Sequence, residues 1–393
     1  MQNFVYYAPT EIIFGKNTEK ETGKIVKKWG ASRVLLVYGG GSVKRSGLLR
    51  QIQQNLDAEG IYWEELSGVK PNPRLSLAEE GVKQALSMSA DFILAIGGGS
   101  VIDTAKGIAH GTANPELKLW DIWTEKAVIK KTMPVGVVLT ISAAGSEMSD
   151  SAVLTDEKSG RKLGFSTPLN RVKFAIMNPE LTYTLPMYQI TCGIVDIMMH
   201  TLDRYFTHSK GNETTDEIAE ALLRTVIRNG KKAFANPQDY DSVSELMWCS
   251  SLSHNGITGL GAEEDFATHQ IGHELSAKYD VAHGASLSAV WQSWAEYVYM
   301  EEPSRFARYA RHVWGISEEN DITAALKGIE ATVRYFRSLG MPTSIGELET
   351  GILPESWLLE MAKSATGNDT FTIAKFKELH QQDVLEILKM ANH

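Results

Sequence analysis

The chain has 393 residues, 43% of them hydrophobic, with 48 acidic against 39 basic side chains and a formal net charge of −9. This length predicts two domains, each with enough apolar content for a core. The acidic balance argues against nucleic acid and anionic membrane as partners, and the lack of biased tracts or short repeats argues against disordered and solenoid classes.

Arg33 to Tyr38 is a short apolar run ending in Gly39-Gly40-Gly41, and a helical pattern follows to about Glu59. Ile61 to Leu66 reads as a strand and Leu75 to Met88 as a helix. Asp91 to Ile96 is a second apolar run, ending in Gly97-Gly98-Gly99, with a helix from about Ser100 to His110 and a buried strand at Val135 to Leu139. Strands alternating with helices predict a Rossmann-like, doubly wound parallel sheet. Ala152 to Leu154 and Lys162 to Ser166 bracket a polar turn and predict a hairpin attached to that sheet.

After Pro179 and Pro186 the strand signals fade. Segments of helical period take over at Met187 to Phe206, Asn212 to Asn229, Val243 to Asn255, Phe266 to Lys278, Ser286 to Met300 and Asp321 to Leu339. The prediction is an α/β domain over residues 1–185 and an all-α domain over 186–393, with the cleft between them as the default ligand site.

Cys192 and Cys249 lie in apolar helical stretches, which predicts free thiols and a reducing, cytoplasmic setting. The first residues lack a basic region followed by an apolar core, so no secretory signal is expected. The most apolar run, 133–145, is too short to span a bilayer.

Two strand-to-helix turns carry Gly-Gly-Gly-Ser, at Gly39 to Ser42 and Gly97 to Ser100. Glycine permits close backbone approach, and a helix N-terminus offers unpaired N–H groups, so a pyrophosphate fits the second turn. The usual G-x-G-x-x-G fingerprint is absent, and the same glycines also suit tight turns with no ligand. The first turn holds no carboxylate for a ribose 2′-hydroxyl and has Lys44 and Arg45 nearby, which points to a 2′-phosphate and hence NADP(H).

Asp196 and His200 stand four apart, as do His269 and His273, and His283 follows. On a helix that spacing puts both side chains of a pair on one face, with Cβ atoms roughly 5–6 Å apart. Imidazole and carboxylate donors in apolar settings suit Fe, Zn, Ni or Co. The residues alone leave two readings open: a metal centre, or capped and salt-bridged helix pairs.

With these motifs the chain resembles the iron-containing (group III) alcohol dehydrogenases. The matching segments are Phe14-Gly15, Gly68 to Pro73, Gly97 to Lys106, Leu139 to Glu147, Asn178-Pro179, Asp196 to His200 and His269 to His283. Tyr38 to Lys44 and Gly272 to Leu275 are similar to the NADPH-dependent butanol dehydrogenase and broad aldehyde reductase subgroup. The resemblance implies a dehydroquinate synthase-like architecture and a homodimer. It implies that Asp196, His200, His269 and His283 hold one divalent metal, Fe2+ first, with Zn2+ or Ni2+ as alternatives. It places His273 near the nicotinamide, and Asn72, Gly97 to Ser100 (Gly97, Gly98, Gly99, Ser100), Asp103, Thr140, Ser142, Ser146 and Lys162 at the cofactor, with Gly39, Gly40, Gly41 and Ser42 at its ribose.

The implied chemistry is interconversion of short and medium aldehydes with primary alcohols, mainly aldehyde reduction. The metal serves as Lewis acid, the nicotinamide as hydride carrier and His273 as proton relay or as a positioning wall. Trp120, Trp123, Trp291 and Trp294 are candidate apolar pocket walls. The other readings are an NAD-dependent alcohol or diol dehydrogenase of the same family, a sugar-phosphate cyclase-type lyase, and a non-catalytic cofactor-binding protein.

Overall fold

A computed structural model describes residues 1–393. The chain divides into two compact units: Tyr7–Thr184, and Leu185–His393 together with Met1–Tyr6. The assignment of the first six residues to the α/β domain is thus corrected. The Met1 ammonium donates to the Lys210 carbonyl at 2.6 Å and the Gln2 N–H to the Gly261 carbonyl at 2.9 Å, which ties the N-terminus into the helical unit.

The first unit contains β1 (Glu11–Phe14), α1 (Thr22–Lys28), β2 (Arg33–Tyr38), α2 (Ser42–Arg45), α3 (Leu48–Ala58), β3 (Tyr62–Leu66), α4 (Leu75–Ser87), β4 (Phe92–Gly97), α5 (Gly99–Ala113), α6 (Leu119–Trp123), β5 (Val135–Leu139), β6 (Ser151–Asp156), β7 (Arg161–Ser166) and β8 (Phe174–Met177). Six strands form one parallel sheet in the order β1-β8-β5-β4-β2-β3. β4 and β5 are buried at every position, which is why they read as unbroken apolar runs instead of alternating ones.

Tyr38 pairs with Ile96, so β2 and β4 end side by side and both glycine turns leave adjacent strand ends. The chain turns from β2 outward to β3, then returns through β4 toward β5. That reversal makes the carboxyl ends of β2 and β4 the switch point at which open parallel sheets bind ligands. The hairpin differs from expectation: β6 and β7 form their own antiparallel two-stranded sheet. β1 and β8, which complete the main sheet, have four residues each and had no clear sequence signal.

The second unit is helical: α7 (Met187–Tyr205), α8 (Glu213–Ala235), α9 (Tyr240–His254), α10 (Ala267–Tyr279), α11 (His283–Val298), α12 (Pro303–Trp314), α13 (Asp321–Ser338), α14 (Glu355–Ala365) and α15 (Gln381–Ala391). α7 begins beside Pro186, where a missing N–H is harmless. From Ile190 onward it is buried almost all round, with Asp196, His200, Asp203 and Arg204 among the buried side chains, and it sits among other helices. Trp291 and Trp294 are fully buried in this core, so they are not pocket walls; Trp123 is 2% exposed and donates to the Ala152 carbonyl. Both cysteines are free thiols. No helix is long and apolar enough to cross a membrane.

Candidate metal centre and nucleotide turns

Three helices of the second unit converge on one carboxylate oxygen. On α7, His200 is one turn beyond Asp196, and its Nε2 lies 3.2 Å from Asp196 Oδ1. His269 on α10 and His283 at the start of α11 each bring Nε2 to 3.7 Å from the same oxygen. One ligand atom from each of the four residues lies within 4.8 Å of the others. Tetrahedral coordination at metal–ligand distances near 2.1 Å sets ligand atoms about 3.4 Å apart, so the spacing fits. Asp196 Oδ1 and His269 Nε2 are buried and receive no hydrogen bond from the protein. Buried polar atoms without partners are costly, and a cation at their shared focus would satisfy them.

Close helix packing makes this convergence possible. A Cβ on Gly284 would stand 2.2 Å from the Cys192 carbonyl oxygen, so only glycine lets the start of α11 press on α7. One on Gly272 would stand 2.9 Å from Leu287, which sets α10 against α11 in the same way.

Asp196 and His200 are shifted toward metal-ready protonation states, whereas the carboxylates of Asp196 and Asp203 outweigh burial and raise His269. Burial alone would raise the Asp196 carboxyl, but its interactions with the His200 and His283 imidazoles outweigh burial and hold the group well below its usual range. Burial pushes His200 down to about 4, so its imidazole is neutral near pH 7.

Three further residues support the centre, and sequence reasoning missed all of them. His269 Nδ1–H donates to Asp203 Oδ2 at 2.5 Å, which aims Nε2 at the cluster. Asp203 lies two turns after Asp196 on the same helix, so its spacing was the available signal. His254, at the end of α9, lies against His200 with ring centroids 3.9 Å apart and the planes tilted by 33°, and its Nδ1 accepts from Arg204 Nη2 at 3.0 Å. Asp265 precedes α10 and accepts the N–H groups of Ala267, Lys375 and Phe376, while burial and the nearby Asp203 raise its carboxyl to about 6. His273 stands just outside the cluster, its ring centroid 5.3 Å from His283 and 6.3 Å from His269.

In the first unit, Gly97 to Ser100 run from the end of β4 into α5, whose first amides have no carbonyl one turn earlier to bond. A Cβ on Gly97 would stand 2.5 Å from Val101 and one on Gly98 2.1 Å from Ile141, so this turn is interlocked with its surroundings. At the other turn, a Cβ on Gly40 would meet nothing within 4 Å, one on Gly39 would lie 3.3 Å from the Val69 carbonyl, and Gly41 has φ +131. Ser42 opens α2 and is exposed.

Thr140 donates its N–H to Gly97 at 3.2 Å, so the segment carrying Thr140, Ser142 and Ser146 leaves β5 beside the second turn. Lys162 Nζ donates to Asn72 Oδ1 at 3.0 Å, and Asn72 is buried with φ 55. Asp103, a residue expected at the cofactor, is engaged with the protein. Its oxygens accept from Ser146 Oγ at 2.6 Å and the Val153 N–H at 2.9 Å, so it holds the segment after β5 in place. Buried Lys106 assists by donating to the carbonyls of Ser146, Ser149 and Ser151. At the rim of the first turn, Lys44 Nζ is 3.4 Å from a Glu65 carboxylate oxygen, which also accepts from the Tyr38 hydroxyl.

One aspartate with three histidines, and glycine turns at a sheet switch point, are the parts of a metal- and nicotinamide-dependent oxidoreductase. The model of the iron-containing alcohol dehydrogenases matches residues 9–179, and that of the Fe-containing alcohol dehydrogenase family C-terminal region matches residues 190–392. The chain is 40% identical over 391 residues to an NADH-dependent butanol dehydrogenase A of Clostridium acetobutylicum, covering 99% of both chains. It is 36% identical over 350 residues to the NADPH-dependent aldehyde reductase YqhD of Escherichia coli, covering 88% of this chain and 89% of that one. The crystal structure of an NADH-dependent butanol dehydrogenase A from Thermotoga maritima superposes with a TM-score of 0.96 at 37% identity, over 100% of this chain and 99% of that one.

The chain therefore belongs to the iron-containing alcohol dehydrogenase family. As a member it is an enzyme of the alcohol dehydrogenase/aldehyde reductase class, for which the family implies a divalent metal and a nicotinamide cofactor.

Proposed function

We propose that the chain reduces short and medium aldehydes to primary alcohols with NADPH, using one divalent ion held by Asp196, His200, His269 and His283. The observation that carries this reading is the convergence of three imidazole nitrogens on an orphaned, buried carboxylate oxygen. An iron, zinc or nickel ion held there supplies Lewis acidity toward a substrate oxygen. The protein's own part is positional. Asp203 orients His269, Gly284 admits His283, and the N-terminus of α5 receives the cofactor diphosphate. His273, beside His283, supplies the proton that aldehyde reduction consumes and accepts it back in alcohol oxidation.

NADP(H) is supported by the absence of a carboxylate from Gly39 to Ser42 and by the exposed Lys44 ammonium at the rim of that turn. One observation favours NADH instead: Glu65 stands against Lys44 and offsets its charge. The butanol dehydrogenase relatives are named as NADH-dependent, and the aldehyde reductase as NADPH-dependent. For a homodimer, support comes from the exposed apolar N-terminal side chains Phe4 at 50% and Val5 at 92%.

Steady-state rates with NADPH and NADH test the reading on a series of linear aldehydes, using protein reconstituted with each metal and compared with His283→Ala. The expected result is higher kcat/KM with NADPH, efficiency rising from acetaldehyde to butanal by about 0.8 kcal/mol per buried methylene, and loss of one metal equivalent and of turnover in the variant. Full metal content and turnover in His283→Ala would overturn the centre. A higher kcat/KM with NADH would overturn the cofactor assignment.

A further inference from the structure

A second cluster in the helical unit repeats the arrangement at Asp196. Glu217 and Glu220 lie three apart on α8, so they share a face, and His312 approaches from α12. One ligand atom from each lies within 4.8 Å of the others. His312 Nδ1 is 2.9 Å from Glu220 Oε2 and 3.8 Å from Glu217 Oε1. Glu220 is fully buried, and this Oε2 has no hydrogen-bond partner despite the nearby imidazole. A carboxylate oxygen and an imidazole nitrogen in close approach, buried on the carboxylate side and not hydrogen-bonded, is also what Asp196 and His200 show.

The surrounding charges leave that oxygen available to a cation. Arg308 Nε donates to the other Glu220 oxygen, Oε1, at 2.6 Å, and so does the Tyr205 hydroxyl at 2.8 Å. Arg305 is committed to Asp216, with nitrogens 2.7 and 2.6 Å from its two oxygens. Three carboxylates, Asp216, Glu217 and Glu220, face the guanidinium groups of Arg305 and Arg308, while Arg224 donates to the His312 backbone carbonyl at 2.7 Å and leaves the His312 ring to the carboxylates. Arg308 Nη2 lies 3.5 Å from Glu217 Oε1; the Glu217 side chain is 53% exposed and free to turn toward a cation.

We infer that Glu217, Glu220 and His312 form a second divalent-cation site, separate from the Asp196 centre and suited to zinc. Two carboxylate oxygens and one imidazole nitrogen are ordinary zinc donors, and solvent completes four-coordination. Occupancy ties α12 to α8 and adds stability by mass action.

The test is total metal content in protein carrying its Asp196-centre metal and equilibrated against buffered zinc, measured with thermal unfolding. Wild type should hold about two equivalents per chain and His312→Ala about one, with normal turnover in both. His283→Ala should still hold one, bound at the second site. Zinc should raise the unfolding midpoint of wild type but not of His312→Ala. His380→Ala is the control, because it removes an exposed histidine 3.2 Å from Asp369; it also removes the N-cap of α15 and lowers the midpoint, but its metal content and zinc-induced shift should match wild type. Equal metal content in wild type and His312→Ala, or an equal zinc-induced shift in both, would overturn the site.

Discussion

The His269 imidazole is held at 2.5 Å by Asp203, a carboxylate with no solvent exposure on the helix that also carries Asp196 and His200. One helix thus supplies two members of the cluster and fixes the ring of a third. Asp203→Ala should leave the fold intact but free that ring. Loss of such an orienting partner costs about 10- to 100-fold in metal affinity or activity. Competition with a chelator of known affinity measures it, and wild-type metal affinity in the variant would remove Asp203 from the argument.

Gly284→Ala tests the packing that delivers His283. The added methyl would sit 2.2 Å from the backbone of Cys192, and backbone cannot swing aside. Overpacking of this kind costs about 1–3 kcal/mol and displaces the helix start. The expected phenotype is a lower unfolding midpoint together with substoichiometric metal. A variant with wild-type metal content and kcat would show that α11 can shift without consequence.

Cofactor choice should respond to two substitutions in opposite directions. Gly39→Asp places a carboxylate at the first turn and should weaken NADPH use by about 1–3 kcal/mol in kcat/KM. Glu65→Gln removes the charge 3.4 Å from Lys44 and should lower KM for NADPH, with little change for NADH. The ratio of kcat/KM for the two cofactors is the readout, and unchanged ratios in both variants would mean that the 2′-position lies elsewhere.

His110 should make the protein acid-sensitive. It is fully buried on α5 against Asn170 Oδ1 at 2.8 Å, and burial lowers it from 6.5 to about 4. Below pH 6.5 the unfolded chain binds a proton that the folded chain refuses, so stability falls as pH drops from 6.5 toward 4. Between pH 7 and pH 5 this residue should cost about 2 kcal/mol. His110→Gln keeps a donor for Asn170 and cannot titrate, so its urea midpoint should fall less over that interval. Identical pH slopes would refute the assignment.

Much of the fold was legible because long apolar runs and helical periods are local signals. β5, Val135–Leu139, is found at the residues the sequence suggests. β1 was not legible: its burial is partial, and its partner β8 lies far along the chain, with Glu11 opposite Phe174. The hairpin was visible as two strands, but which sheet it joins depends on edges set by distant residues. At the metal cluster, the four-residue spacings were plain in the sequence. His254 was not, because its place over His200 depends on how α9 packs against α7. The tryptophans misled for the same reason, since size and apolarity do not distinguish a pocket wall from a core residue.

The two glycine turns differ in how far they can change. Gly97 and Gly98 are enclosed by Val101 and Ile141, whereas space around Gly40 is open. The turn proposed to receive the diphosphate is therefore mechanically fixed, while the turn proposed to face the ribose has room for a side chain at Gly40. On the proposed reading, a side chain added at Gly40 would alter the ribose end of the cradle and leave Gly97 and Gly98 where they stand.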